Sequence, residues 1–437
     1  MKSVKQTERV YYGLGFLFWF GNALPLALLI LLLQSRGLSL LQVSLLFGIN
    51  SLTVVLLEVP TGSLADIVGR KRVAIWAAMF SVATFVLFLF AFPFWLLLLG
   101  GLLMGVGRAL DSGTLDAWFV DTLQGLEPEI DLQPFFAKSG VVILLGLASG
   151  TLFGSVLPRW FAFLPPEGSA VLTPFSTTLV ATLLIHLVRL ALLWTWVQED
   201  RPKSTLSLRQ SVATVPAFVR EAVALSRESR IIRWLLLTTF LAGFVMLSLE
   251  NFWQPFFSGL LGGSEGNSVT FGVIMAGNFV LGAVGNIVSP MLAKRLNQRL
   301  GLLAGLFELL RGVFLILLVF QTSVYTAVLW FWLIYFGMGG ANSPVAVILN
   351  SEISAEKRSS MLSIQSMVGY LGFFSGSVVL GFIAEQFSIE TAWIVGGCVL
   401  LVSFIPYLQI DRLYTAKQTH HAAQNPQLET VQEADAG

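Results

Sequence analysis

Apolar blocks of about twenty residues, separated by short polar stretches, follow one another from residue 11 to residue 410. A helix that crosses a bilayer needs ~20 mostly apolar residues. The blocks lie near 11–34, 40–61, 73–92, 94–121, 138–157 and 171–197, then near 231–259, 268–293, 300–320, 323–349, 359–384 and 389–410. Lipid offers no water to unpaired backbone groups, so each block is expected to be a helix rather than irregular chain. Composition leads to the same place. Of 437 residues, 55% are apolar, about 240, which is enough for twelve spans. Only 12% are charged, about half the share of a soluble domain. A soluble multidomain enzyme is excluded, as is disorder over most of the chain. The expected fold is all-α and integral to a membrane, with twelve transmembrane helices in two pseudo-symmetric six-helix bundles.

Charge sets the orientation. With the N-terminus in the cytoplasm, 21 of the 26 Lys and Arg residues fall in inside segments. Among them are Lys2, Lys5, Arg70, Lys71, Arg72, Lys294, Arg295, Lys357 and Arg412. Arg36 and Arg159 fall outside, and three others lie within helices. The positive-inside rule therefore places both termini in the cytoplasm of a multi-pass protein of the plasma (inner) membrane. The start of the chain is basic and runs into an apolar stretch too long for a signal-peptide core, so the first helix is expected to be retained.

Segment 198–230 is the long polar stretch between spans, and its apolar and charged residues alternate at helical spacing. It reads as a cytoplasmic linker carrying an amphipathic helix along the membrane surface. It divides a bundle over 1–197 from one over 231–410, with a disordered cytoplasmic tail over 411–437. A shift of 228 residues pairs Asn50 with Asn278, Gly62 with Pro290, Leu64 with Leu292 and Ala65 with Ala293. Repeats of this kind build many transporters, which place their substrate between the halves.

Other chemistries find no support. A lone Cys398 allows no internal disulfide or Cys-based metal cluster, and His186, His420 and His421 are too few for a His-rich metal site. The GGSEG string at 262–266 matches a nucleophile-elbow pattern but lies in a short loop with no strand and no nearby His. There is no phosphate-binding loop and no zinc-protease motif, so no catalytic residue, cofactor or metal is expected. Basic residues dispersed over membrane loops argue against nucleic-acid binding. The expected partners are a small molecule, protons and the lipid bilayer, with the chain acting as a monomer.

The most specific string is GSLADIVGRKR at 62–72, between the second and third helices. Gly62 and Gly69 permit a tight turn, Asp66 can attract a helix N-terminus, and Arg70, Lys71 and Arg72 anchor the loop. This string resembles the signature G-x-L-x-D-x-x-G-R-K/R of the major facilitator superfamily of secondary transporters, through Gly62, Leu64, Asp66, Gly69, Arg70 and Lys71. The helix count, the central loop and the repeat carry the resemblance over nearly the whole chain. It implies transport by alternating access, with Asp66 in a cytoplasmic gate. The second copy, SPMLAKRLNQR, is degenerate, with Lys294 where Asp66 would stand. Pro344 and the polar SEISAEKRSS that follows are also similar to the family's pattern.

Charges inside the bilayer are functional candidates by default, because each costs roughly 2.5–3.5 kcal/mol on insertion scales. The second helix carries Glu58, and the fourth carries Arg108, Asp111 and Asp116. On one continuous helix at about 100° per residue, Asp111 lies to one side of Arg108 and Asp116 to the other, all facing the interior. A purely structural, self-neutralising cluster is the alternative. Burial raises a carboxyl pKa and a neighbouring guanidinium lowers it, so such a group can load and release a proton as the cavity opens. Glu58 or Asp111 is the expected carrier.

The seventh helix offers Glu250, Asn251, Trp253 and Gln254 beside Pro255, with Asn22 and Pro25 as a looser counterpart on the first helix. A kinked helix there could line a cavity, with Glu250 attracting a cation and Trp253 offering an aromatic face. Interfacial anchoring is the alternative. Glu308 and Arg311, three residues apart, read as an internal ion pair; His186 and Arg189 are left open. Gly146, Gly150 and Gly154, and Gly372, Gly376 and Gly381, suit close helix packing. The family's drug–proton antiporters carry a Gly-Pro pair on their fifth helix, and this chain has no such pair. The leading reading is proton-coupled export of a small amphipathic or cationic compound by an efflux antiporter. Proton-linked uptake of a nutrient such as a sugar is the alternative, and a membrane sensor or membrane enzyme is the rival from another class.

Overall fold

A computed structural model describes residues 3–199, 229–354 and 357–424. The linker expected over 198–230 and the tail beyond 424 lie almost wholly outside the described residues. The elements, in chain order, are α1 (Val4–Ala23), α2 (Leu29–Ser35), α3 (Leu40–Val68), α4 (Arg70–Phe90), α5 (Phe94–Asp111), α6 (Thr114–Leu126), α7 (Gln133–Trp160) and α8 (Ser176–Trp196). They continue as α9 (Arg230–Leu260), α10 (Ser268–Arg295), α11 (Leu300–Val319), α12 (Val324–Ser351), α13 (Arg358–Gln386) and α14 (Ile389–Gln424).

Among the described residues, eleven stretches are long and apolar enough to cross a bilayer. The remaining crossing is α1 with α2, interrupted at 24–28 by Pro25. Pro25 has no N–H to continue the ladder, and its carbonyl accepts instead from Leu28 and Leu29 at 2.9 and 2.8 Å. Helix α3 begins on a capping box, in which Ser39 and Gln42 bond each other's backbone N–H groups. Large apolar side chains such as Trp95, Leu145 and Ile287 point outward, as lipid-facing positions should. Trp160, Phe163, Phe320, Tyr325 and Phe387 are exposed at helix ends on the face opposite the termini, where amphipathic rings settle at the lipid boundary.

The helices form two bundles. In the first, α1 packs on α7 and α8, α3 on α5, and α4 on α5 and α8. In the second, α9 packs on α13 and α14, α10 on α12, and α11 on α12 and α14. The second set repeats the first, and the offset of 228 read from the sequence carries Leu40–Val68 onto the span of α10. Glycines explain why α1–α7 and α9–α13 match: a Cβ on Gly154 would strike the Leu24 carbonyl, and one on Gly376 the Phe244 carbonyl. Gly376→Leu is therefore expected to separate α9 from α13 and sharply lower the yield of monodisperse protein in detergent. Overpacking at well-packed sites costs about 1–3 kcal/mol or more. Size-exclusion profiles compared with the wild type check it.

The bundles meet where α3 runs along α13, α7 along α10, and α9 touches α2 and α3. An apolar core of Leu28, Leu33, Phe88, Trp253, Phe257 and Phe331 joins both halves toward the far face, the one opposite the termini. Separate clusters fill the termini-side half of each bundle.

The offset fails only at the last pair, where α8 begins at Ser176 and α14 at Ile389. The difference is the loop 161–175. Its Glu167 accepts from the Thr173 hydroxyl at 2.8 Å and the Phe175 N–H at 2.7 Å. Arg36 donates to the carbonyls of Phe88 at 2.5 Å, Leu89 at 3.0 Å and Val171 at 3.5 Å. Burial pushes the Glu167 carboxyl above its ordinary range, opposed by those hydrogen bonds and by Arg36. Burial likewise lowers the Arg36 guanidinium.

Besides the break in the first span, two boundaries differ from the sequence reading. The tail expected from 411 begins as helix: α14 continues to Gln424 because Asp411 is buried and caps the start of α11. Its carboxylate accepts from Arg299 Nη2 at 2.6 Å and from the Leu302 N–H at 3.0 Å. Lys417 extends the same helix's contacts by pairing with Glu352 at 2.9 Å. The single helix expected over 94–121 is broken between Asp111 and Thr114, where Gly113 takes a left-handed φ of 69°.

Candidate functional site

The break at Gly113 changes the geometry of the helix-4 charges. Asp111 ends α5 and Asp116 sits in the first turn of α6, so no single helical wheel relates them. Arg108, Asp111 and Asp116 all face one cavity, but Arg108 forms an ion pair with neither acid. Asp111 pairs instead with Arg189 of α8, Oδ1 to Nη2 at 2.8 Å, and Arg189 is only 1% exposed. Asp116 accepts from the Tyr11 hydroxyl at 2.5 Å, and that hydroxyl also lies 3.3 Å from Ser139. These residues line a cavity of about 430 Å3 together with Tyr12, Trp19 and Arg108. The Arg189 guanidinium lies 4.5 Å from the Phe18 ring centre, and that of Arg108 lies 5.6 Å from Trp19. One turn before Arg189, His186 is fully buried, stacks on Phe85 at 5.1 Å, and has neither ring nitrogen partnered.

Glu58 stands on the seam between bundles, near enough to Arg108 for the two charges to interact, and the Ser366 hydroxyl of α13 donates to it at 3.3 Å. Arg108 faces Tyr370 of the same helix. Two ionisable residues of the first bundle thus touch one helix of the second.

The second bundle holds a cavity of about 400 Å3, lined by Thr238, Glu308, Arg311, Asn342, Gln365 and Tyr407 among others. Glu308 and Arg311 form the expected internal pair, with Nη1 at 2.7 and 2.8 Å from the two carboxylate oxygens.

The residues expected to line a substrate cavity on the seventh helix are placed elsewhere. Trp253 is fully buried among Phe257, Phe271 and Phe331, as part of the far-face core rather than a cavity wall. Glu250 accepts from the Tyr335 hydroxyl at 2.7 Å within the same bundle. Asn251 is buried, and Asn22 donates to its own helix at the Phe18 carbonyl, 2.8 Å away. Gln254 crosses between bundles. Its Nε2 donates to the Leu26 carbonyl at 2.7 Å, and its Oε1 accepts from the N–H groups of Ile30 and Leu31 at 3.0 and 3.4 Å. The backbone groups freed by the break at Pro25 are thus satisfied by a side chain of the opposite half. This contact seals the far face, and both cavities lie on the termini side of it.

At the loop string, Gly69 adopts a φ of 105° between α3 and α4, as its place in a tight turn requires. Glu199, to which no sequence motif points, brackets the start of α4: its two oxygens accept from the N–H groups of Arg70 at 2.7 Å and Lys71 at 2.8 Å. A carboxylate at a helix N-terminus satisfies orphan donors and complements the macrodipole. Arg70 pairs with Asp121 of α6 at 3.0 Å, and Lys71 donates to the Trp194 carbonyl at 2.7 Å. Gly62, Leu64 and Asp66 lie in the closing turns of α3 and Arg72 is exposed; the Asp66 side chain is outside the described residues.

Comparison with known proteins agrees with this architecture. Solved structures of similar shape include the nucleoside transporter NupG, with TM-score 0.72 at 15% identity, covering 94% of this chain and 99% of that one. A bacterial homologue of the iron transporter ferroportin, in an inward-facing state, superposes with TM-score 0.69 at 17% identity, covering 94% of this chain and 100% of that one. A bacterial homologue of the human lysosomal transporter Spinster, inward-facing and unoccupied, gives 0.68 at 15%, covering 95% and 97%. A search of curated protein sequences finds no match. The sequence pattern of the Major Facilitator Superfamily matches residues 11–340 and, overlapping, 266–431. With twelve spans, repeated bundles and a sequence match over nearly its full length, the chain belongs to the major facilitator superfamily.

Proposed function

We propose that this protein is a proton-coupled secondary transporter that exports a small amphipathic compound from the termini side, with that side cytoplasmic. The observation that carries the reading is the Asp111–Arg189 pair, buried in the wall of a cavity inside a fold sealed at its far face. A proton on Asp111 removes the charge that holds Arg189, so protonation and the shape of the cavity wall are linked. Glu58, on the α3–α13 seam, is the second proton carrier. The motif at 62–72 serves as the termini-side gate, with Arg70, Lys71 and Glu199 fixing the turn on which it sits. Recognition of a cation by Glu250 and Trp253 loses its support, since both are engaged in packing.

The test uses inverted membrane vesicles from a host stripped of its own pumps, energised so that their interior is acid. A panel of radiolabelled amphipathic cations, zwitterions and anions is offered outside. At least one class is expected to accumulate, to dissipate the pH gradient as it does so, and to leak away when nigericin collapses the gradient. Asp111→Asn is expected to reduce accumulation to the level of empty vesicles. Accumulation of no compound above those empty vesicles, or accumulation indifferent to nigericin, would overturn the reading.

A further inference from the structure

The first-bundle cavity holds more guanidinium than its own carboxylates engage. Arg189 is buried to 1% exposure and uses only Nη2, toward Asp111; its Nε and Nη1 are buried without a partner. A buried donor left unmade costs about 1–3 kcal/mol, and more on a charged group. Arg108, exposed to the same cavity, forms no ion pair with any described carboxylate; Tyr370, Asp111 and Glu58 lie near enough to act on it electrostatically. Of the two acids in the cavity wall, Asp111 is committed to Arg189 and Asp116 accepts from Tyr11 at 2.5 Å. Two forks of N–H donors therefore line the cavity with room to take a further acceptor. Their planar geometry matches a two-oxygen anion, which can receive parallel N–H···O bonds.

We infer that the transported compound carries an anionic oxygen group (carboxylate, sulfonate or phosphate), seated on Arg108 and Arg189, with its apolar body against Phe18 and Trp19. The two rings already lie against these guanidinium groups, at 4.5 and 5.6 Å, so an aromatic or aliphatic body next to the anion extends existing packing. A cavity of about 430 Å3 suits a small organic molecule of this kind. Asp111 then has a second role. The substrate anion and Asp111 compete for Arg189. The inference rests on the transport reading only in taking this cavity as the substrate site.

The test is binding to the purified full chain in detergent, using three probes of one size that differ in permanent charge: benzenesulfonate, benzyl alcohol and benzyltrimethylammonium. Benzenesulfonate is expected to raise the unfolding temperature in a concentration-dependent way, and the other two to have no effect. Arg108→Gln is expected to weaken benzenesulfonate binding at least tenfold, the equivalent of one lost charge-assisted hydrogen bond. Arg189→Lys, which keeps the charge opposite Asp111 but loses the fork, is expected to weaken it similarly while the apo protein still folds. Stabilisation by benzyltrimethylammonium in preference to benzenesulfonate would overturn the inference. So would benzenesulfonate binding that both variants retain unchanged. Failure of the transport reading would look different, as a sulfonate that binds through both arginines in a protein whose vesicles show no gradient-driven flux.

Discussion

Arg189→Met is expected to cause the largest loss of folded protein of any single change in the first bundle. It leaves the Asp111 carboxylate facing a cavity wall without its partner, and breaking one side of a buried pair typically costs about 3–5 kcal/mol. The double variant Asp111→Leu with Arg189→Met removes both charges, and such replacements are often neutral or stabilising. Thermal unfolding in detergent should therefore show a deep minimum for the single variant and recovery for the double. Transport should not recover, because the double variant has lost both the proton carrier and the guanidinium. A single variant as stable as wild type would mean that water solvates Asp111 in place of Arg189. A double variant that still concentrates substrate against a pH gradient would move coupling to Glu58.

The second large effect is expected at the far face. Gln254→Leu keeps the side chain's size and removes three hydrogen bonds to the interrupted first span. Each is worth roughly 1 kcal/mol net, and the backbone groups left behind would be buried unpaired in this state. Opening the far face lets water reach those groups, so the variant favours the outward-open form. With about 1.4 kcal/mol per factor of ten, the population ratio should shift by about ten- to a hundred-fold. Spin labels on Ser169→Cys and Thr322→Cys, exposed on the two bundles, report it in a background with Cys398→Ser. A longer distance population should grow in the variant. Distance distributions identical to wild type would show that the apolar core around Trp253, and not Gln254, holds that face shut.

What can be read from the sequence follows a physical division. The spans are legible because lipid forces every block to satisfy its backbone internally. The offset of 228 is legible because the two halves solve one packing problem twice, with buried small residues such as Ala65 and Ala293 at matched positions. Glu308 and Arg311 are legible because both lie on one helix at neighbouring positions. The partner of Asp111 is not, since Arg189 lies 78 positions away and nothing local links them. The helical wheel misplaces Asp116 because Gly113 is one glycine among 40, and only its left-handed φ marks it as a break. Trp253 and Gln254 read as cavity residues because a polar-aromatic string carries no mark of which side it faces. Gln254 binds backbone, which leaves no complementary residue type to find in the sequence.

The loop at 161–175 also bears on the history of the chain. If the halves descend from one duplicated six-helix ancestor, this loop is the segment that one copy gained or the other lost, since the offset holds through the earlier spans and shortens only beyond it. The loop receives Arg36 at the Val171 carbonyl and folds on Glu167; the two residues between α13 and α14 offer no comparable seat. The halves are therefore no longer interchangeable. A protein built from two copies of the second half would keep the helix packing, yet it would lack the rim that closes over the first.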